Sequence, residues 1–221
     1  MVFPNPRQHD FAEWALINDY YYDARDIVSF GDELTVENLQ DAYRKGIFPW
    51  HHDGLPLPWF CPTQRAILEF SDLHIPKSLQ KDLRKSHYTF TIDADFPAII
   101  KNCARIKRSG QNGTWITRNF IKVYTELHER GEAHSVEVWE DNELVGGLYG
   151  VDNGTFGGES MFHLRPSVSK FAVLHLIEHL KTRGATWIDI QTLTPHFKML
   201  GAKEIPRAEF LTKLAETQAR N

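Results

Sequence analysis

The residues best suited to chemistry are Glu159, Asp189 and Gln191. Written as a strand with a side-chain period of two, Trp187-Ile-Asp-Ile-Gln-Thr-Leu193 puts Trp187, Asp189, Gln191 and Leu193 on one face. Ile188 and Ile190 fall on the other. Bulky apolar residues on both faces mark a strand buried on both sides, where a carboxylate beside an amide costs several kcal/mol unless both are satisfied. The pair is therefore either structural, bonded to neighbouring backbone, or the lining of a cleft. Glu159 stands in Gly157-Gly-Glu-Ser-Met-Phe162, a carboxylate in apolar company where backbone can be approached closely. The three polar groups converge if their two strands are neighbours; otherwise they are unrelated hydrogen bonds.

A competing constellation is His175-Leu-Ile-Glu-His179, which has the form of an inverted zinc-peptidase motif. Both histidines would share one helix face with Glu178 beside them, as zinc ligation needs. The same helix carries Phe171, Leu174, Ile177 and Leu180 as a buried stripe, so His175, Glu178 and His179 are explained by a solvated outer face. A third ligand would have to come from residues such as Glu204 or Glu209, neither of which stands in a recognisable site. His51-His52 reads as loop.

These groups must be positioned by a chain of 221 residues with 42% hydrophobic and 24% charged residues and a net charge of -4. That composition excludes disordered and fibrous classes and allows one large domain or two small ones. The opening Met-Val-Phe-Pro-Asn-Pro lacks the pattern of a secretory signal, and no apolar run reaches membrane-spanning length, so a cytoplasmic protein without membrane association is expected. Cys61 and Cys103 lack metal-ligand spacing and are expected to be free thiols.

Residues 1–65 are aromatic and turn-rich and read as a small N-terminal domain. Within it, Thr35 caps a short helix that Gly46 ends, and His51 to Pro62 reads as a loop. Trp59-Phe60 either pack under that loop or stack on a ligand. Residues 66–221 have an α/β texture. Strands are predicted over 66–70, 88–93 and 155–162, helices over 76–85, 96–106, 119–130 and 169–183, and a short helix from about Ala208. A hairpin over 135–151 turns on Asp141-Asn142, which tolerate the left-handed conformation of a tight turn. The order hairpin, strand, helix, strand is that of a GNAT-like acyltransferase core, giving an α+β fold with a mixed sheet flanked by helices and a small N-terminal domain. The analogy points to acyl transfer. Where such enzymes carry a glycine-rich pyrophosphate loop, this chain reads Arg165-Pro-Ser-Val-Ser-Lys170, which argues against coenzyme A.

Charge is unevenly distributed. Between Lys77 and Arg108 stand eight basic residues against three acidic ones. On a helix from Pro76, Lys77, Lys81, Arg84 and Lys85 form one stripe, which serves either as a solvated face or as a contact to a phosphate backbone.

Longer motifs carry a resemblance. Ala42-Tyr-Arg-Lys-Gly-Ile-Phe-Pro-Trp50, Trp59-Phe-Cys-Pro-Thr-Gln-Arg-Ala66, Gly113-Thr-Trp-Ile-Thr117, His134-Ser-Val-Glu-Val-Trp139, Gly146-Gly-Leu-Tyr-Gly-Val151, Gly158-Glu-Ser-Met-Phe162 and Ile188-Asp-Ile-Gln191 resemble the leucyl/phenylalanyl-tRNA–protein transferases, from about Gly31 to Leu214. The resemblance implies a bacterial cytoplasmic enzyme. It would move leucine or phenylalanine, and methionine less well, from aminoacyl-tRNA to the N-terminal arginine or lysine of a protein, marking it for N-end-rule degradation. It implies that Asp189 and Gln191 are the catalytic pair and that Glu159 holds the glutamine. Tyr43, Trp50 and Trp115 match aromatic positions around the terminal adenosine and aminoacyl ester. Leu148, Met161, Val173 and Leu176 match the pocket for the donor side chain, and Lys77, Lys81, Arg84 and Lys85 the helix facing the acceptor stem.

An aminoacyl ester is already activated, so no metal, nucleotide or other cofactor is expected, and a monomer suffices. The nucleophile is a peptide α-amine with pKa about 7.7–8.0, partly neutral near pH 7.5 without a strong base. Asp189 is expected to orient and stabilise the ammonium formed on attack, and Gln191, fixed by Glu159, to accept from the amine or stabilise the tetrahedral intermediate. Two other classes remain: a non-catalytic tRNA-binding module, and the zinc peptidase built on His175, Glu178 and His179.

Overall fold

A computed structural model describes residues 3–106 and 114–220. The turn expected over Gly110 to Gly113, and the basic residues Lys107 and Arg108, lie outside the described residues. In chain order come β1 (Trp14–Ile17), β2 (Tyr20–Asp23), β3 (Ile27–Phe30), α1 (Val36–Arg44), β4 (Phe48–Pro49), β5 (Pro58–Phe60) and β6 (Gln64–Glu69). There follow α2 (Lys77–Lys85), β7 (Thr89–Ile92), α3 (Phe96–Arg105) and α4 (Arg118–Glu129). A meander of β8 (Ala133–Glu140), β9 (Glu143–Asp152) and β10 (Phe156–His163) leads into α5 (Val168–Thr182) and β11 (Trp187–Gln191). The chain closes with α6 (Pro195–Met199), β12 (Lys203–Pro206) and α7 (Arg207–Gln218).

Local chemistry sets these boundaries. Thr35 accepts from Asn38 N at 3.1 Å to start α1, and Asp95 accepts from Ala98 N at 3.0 Å to start α3. Asp141 and Asn142 take positive φ, 49° and 67°, in the two-residue turn between β8 and β9, as the sequence predicts.

Seven strands form one mixed sheet in the order β12-β6-β11-β10-β9-β8-β7. Neighbours are antiparallel except β10 and β11, which are parallel because α5 carries the chain back across the sheet between them. Only Gly157 and Asp189 are paired in that ladder; beyond them the two strands diverge. Both strands are irregular near the fork, β10 between Gly158 and Ser160 and β11 between Asp189 and Gln191.

Each face of the sheet is buried. One core joins α1, α3, α4 and α7 to the sheet through residues such as Leu39, Phe96, Tyr124, Tyr149 and Phe210. The other joins α2, α5 and α6 through Leu79, Phe171, Ile177, Ile188 and Leu200. β3, β5 and β4 form a separate three-stranded sheet whose Val28, Phe48 and Trp59 enter the first core, so residues 1–65 share their interior with α7. The segment read as a loop therefore contains β5. Trp59 is fully buried, with its indole N–H donating to Asp32 O at 3.1 Å, so it packs rather than stacking on a ligand. The β1–β2 hairpin turns on Asn18 and Asp19, at φ 50° and 66°, whereas β12 and α6 lack an apolar period of their own and arise from tertiary contact. Cys61 and Cys103 are buried free thiols. No described helix is long and apolar enough to cross a membrane.

Close approach explains two glycines. A Cβ on Gly150 would lie 2.2 Å from Gly157 O and 2.5 Å from the Phe156 ring, so β9 meets β10 at that spacing only without a side chain. Gly46, at φ 75°, ends α1 with a Cβ direction 2.7 Å from the Phe210 ring, locking the N-terminal elements onto α7. Gly150→Ala should cost about 1–3 kcal/mol through overpacking. That should lower the melting temperature by several degrees, about 2–4 °C per kcal/mol at this size. An unchanged calorimetric melting curve would contradict the packing.

Candidate functional site

The fork between β10 and β11 opens into a cavity of about 330 Å³. Phe48 and Trp50 wall it on the N-terminal side, Leu148 and Met161 come from β9 and β10, and Val173 and Leu176 from α5. Ile188, Ile190 and Gln191 close it from β11, and Trp115 and Phe197 complete the wall. The size and lining suit a large apolar side chain next to a few polar groups. Trp50 faces His52 and Phe60 at ring separations of 5.5 and 6.1 Å, and Trp115 rests edge-on against Phe120 at 5.5 Å.

The polar groups of this cavity depend on a break in strand alternation. A period of two groups Gln191 with Asp189, but Gln191 takes φ 63°, the left-handed region that costs a non-glycine residue free energy. The bend turns Gln191 to line the cavity with Ile188 and Ile190, while Asp189 stays on the opposite, buried side. Asp189 holds the bend: its Oδ1 accepts from Gln191 N at 2.9 Å.

Asp189 is in turn fully engaged by Arg65. The guanidinium Nε donates to Oδ1 at 2.8 Å and Nη2 to Oδ2 at 2.6 Å, with Arg65 1% and Asp189 3% exposed. The guanidinium lies between the faces of Phe48 and Phe210, 4.6 and 4.5 Å from the ring centres. Its Nη1 has no hydrogen-bond partner among the described residues. Burial lowers the pKa of Arg65 and the Asp189 charge raises it, with a net upward shift that keeps it cationic. The Asp189 expected to meet the ammonium contacts Arg65 and the backbone of Gln191 in the structure. Its oxygens are taken up by two guanidinium N–H groups and one backbone N–H, and it does not line the cavity.

Glu159 sits at the irregular step of β10 and accepts from Gln191 Nε2 at 2.5 Å through Oε1. Its Oε2 accepts from Tyr124 Oη at 3.2 Å, and Tyr124 is within 2.6 Å of Tyr43 Oη. Burial pushes the Glu159 carboxyl up to about 7, against the pull of the Tyr43, Gln191 and Tyr124 hydrogen bonds, with the Asp189 charge adding to the rise. Burial and the Glu159 charge hold both tyrosines well above their ordinary range, so they remain donors.

Of the three polar groups expected to converge from adjacent strands, Glu159 and Gln191 meet side chain to side chain, and Asp189 joins them only through the backbone N–H of Gln191. Trp50, Trp115, Leu148, Met161, Val173 and Leu176 all face the cavity. Tyr43 does not; it is 3% exposed and its hydroxyl belongs to the network beneath Glu159. Arg65 and Tyr124 were missed. A lone Arg at the head of a strand has no spacing signal, although asking what neutralises a buried Asp189 would have called for a cation.

Lys77, Lys81, Arg84 and Lys85 are exposed on α2, with Leu79 turned inward, and form no salt bridge among the described residues. The zinc constellation is not assembled: no group of three potential ligands that could hold a metal occurs among the described residues. α5 is buried on most of its circumference, so the solvated outer face expected for it is narrow. His175 is half-buried and stacked on Phe90 at 4.9 Å, and Glu178 pairs with Lys181 at 2.9 Å.

Comparison with known proteins gives an independent view. Residues 67–215 match the family model described as leucyl/phenylalanyl-tRNA protein transferase, and residues 32–63 match the model of its N-terminal domain. A leucyl/phenylalanyl-tRNA–protein transferase of Pseudomonas entomophila is 48% identical over 88% of this chain and 86% of its own length. That of Pseudoalteromonas atlantica is 46% identical over 86% of this chain and 81% of its own. The Anaeromyxobacter sp. (strain K) protein is 42% identical over 97% of this chain and 90% of its own. Matches of this extent, over a cavity built from two diverging strands, show that the chain belongs to the leucyl/phenylalanyl-tRNA–protein transferase family of aminoacyltransferases.

Proposed function

We propose that the chain transfers leucine or phenylalanine, and methionine less readily, from aminoacyl-tRNA to the N-terminal arginine or lysine of acceptor proteins, marking them for N-end-rule degradation in the cytoplasm. The observation that carries this reading is the apolar cavity of about 330 Å³ with one polar edge formed by Gln191 and Glu159. The parallel fork in an otherwise antiparallel sheet supports the GNAT-like acyltransferase reading of the fold. Residues 1–65 contribute the Phe48 and Trp50 wall, and residues 66–221 the polar pair.

In this reading Leu148, Met161, Val173 and Leu176 hold the donor side chain, and Trp50 and Trp115 flank the ester and terminal adenosine. An apolar slot separates substrates differing by one methylene by only about 1–3 kcal/mol, which fits shared use of several large apolar residues. The acceptor amine adds to the ester carbonyl. The carbon–oxygen bond to the ribose then breaks, the amine proton passes to the departing ribose oxygen, and an amide remains. Gln191 Nε2 is committed to Glu159, so Oε1 is offered to the cavity, where it accepts an N–H of the attacking amine and aims its lone pair. Orientation of this kind supplies about 7–11 kcal/mol in well-aligned reactions. Asp189 and Arg65 act as positioning residues through the backbone of Gln191. The exposed stripe of α2 meets the acceptor stem.

Transfer of labelled leucine from Leu-tRNA to a peptide beginning with arginine, with chelator and without ATP, tests the reaction. Label in the peptide is expected; bound tRNA without transfer would support a binding module instead. Gln191→Ala should lower kcat by about 10²-fold through misalignment, and a value within a few-fold of the parent would overturn its role. The ionised Glu159 is the form that accepts from Gln191, so log kcat/KM should rise with a slope approaching two below about pH 7 as Glu159 and the amine both lose protons. Glu159→Gln should leave only the limb set by the amine. Because the folded-state pKa of Glu159 is raised from 4.5 to about 7, its stabilising contribution is complete below about pH 4.5 and lost as pH rises through about 7. Melting temperatures of parent and variant should therefore converge or cross over that window. Lys81→Glu with Arg84→Glu should raise KM for Leu-tRNA more than it lowers kcat, with a shallower salt dependence.

A further inference from the structure

The β1–β2 hairpin is paired with no third strand and exposes an unusual amount of apolar surface. Trp14 is 55%, Leu16 61%, Tyr20 69% and Tyr21 74% exposed. Leu16 stands directly opposite Tyr21 and Trp14 opposite Asp23, so Trp14, Leu16 and Tyr21 share one face of the ribbon. A two-stranded ribbon with such a face gains little from its own packing, and large exposed apolar clusters mark interaction surfaces.

The charge around it selects the partner. Between Asp10 and Asp26 there are five acidic residues, Asp10, Glu13, Asp19, Asp23 and Asp26, and one basic residue, Arg25. Arg25 is tied to Asp23, with Nε 2.9 Å from Oδ1, while Asp10, Glu13 and Asp19 form no salt bridge among the described residues. Carboxylates interleaved with aromatic faces attract Lys and Arg side chains and repel phosphates. The hairpin also touches the loop beyond the cavity wall. Asn18 Nδ2 in its turn donates to Gly54 O at 3.4 Å, in the loop that follows the cavity-lining Trp50.

We propose that the β1–β2 hairpin docks the acceptor polypeptide, taking a cationic, extended segment downstream of the N-terminal residue that receives the aminoacyl group. The proposal rests on the transfer reaction above. It gives donor and acceptor oppositely charged surfaces, the basic stripe of α2 for the polyanionic tRNA and the acidic ribbon for the basic polypeptide. An extended segment can add its backbone to a free strand edge of the ribbon while its side chains meet Trp14, Leu16 and Tyr21.

The test compares two acceptors, a dipeptide amide beginning with arginine and a long peptide beginning with arginine and carrying further lysines. Trp14→Ala/Leu16→Ser/Tyr21→Ser and, separately, Glu13→Lys/Asp19→Lys are assayed against the parent. KM for the long peptide should rise about 5- to 10-fold, corresponding to the loss of one or two interface anchors. KM for the dipeptide and for Leu-tRNA should stay unchanged. The charge-reversed variant keeps the apolar face, so it answers the question if the first does not fold. An unchanged KM for the long peptide in the charge-reversed variant, an equal rise for the dipeptide, or a rise for Leu-tRNA would overturn the proposal. So would conversion of a dimer to a monomer, which would assign the face to a second copy. Absence of transfer by the parent to either acceptor would instead overturn the transfer reaction itself.

Discussion

The buried ion pair of Arg65 and Asp189 is the constraint on which the candidate site depends. Two opposite charges at 1% and 3% exposure bear a large desolvation cost, offset only by good geometry and complete hydrogen bonding. Here the geometry is bidentate, and the guanidinium faces are covered by Phe48 and Phe210. Removing either partner would leave an uncompensated buried charge, a loss of about 3–5 kcal/mol. A hydrophobic pair of similar volume could fill the space, but it could not accept the backbone N–H of Gln191. The ion pair therefore stabilises the one unfavourable backbone conformation in the cavity wall.

Around that pair the sheet changes character. Everywhere else its strands run antiparallel and can be joined by short turns; at β10 and β11 they run parallel and part after a single paired position. A fork leaves backbone groups and side chains pointing into space that another strand would otherwise fill. Glu159 and Gln191 occupy its edge and satisfy each other across it. The cost of the fork is carried by the bulges, by Tyr124 and Tyr43 beneath Glu159, and by the apolar wall from α5.

Much of this was legible in the sequence, for reasons that particular residues show. Helices α1, α3, α4 and α5 carry caps or long apolar patterns, and the Asp141-Asn142 turn announces its hairpin. The polar pair Glu159 and Gln191 stands out because each breaks an apolar environment. Gln191 and Asp189 were nonetheless placed on one face, because alternation assumes extended backbone and φ at 191 is positive. Arg65, Tyr43 and Tyr124 act through hydrogen bonds between residues 35 to 124 positions apart, which no local period encodes. The short strands of the N-terminal region were hidden for the same reason: Trp59 is held by the core it enters rather than by its neighbours in sequence.

The clamp on Arg65 has a consequence for the order of biosynthesis. Its two ring neighbours come from distant parts of the sequence, Phe48 in β4 and Phe210 in α7. A nascent polypeptide emerging from the ribosome acquires Asp189 and Gln191 before it acquires Phe210. During that interval the guanidinium lacks one of its two covers, water has access to the ion pair, and the bend at Gln191 is poorly held. The polar edge of the cavity thus depends on α7 packing over the guanidinium, although no residue of α7 lines the cavity itself.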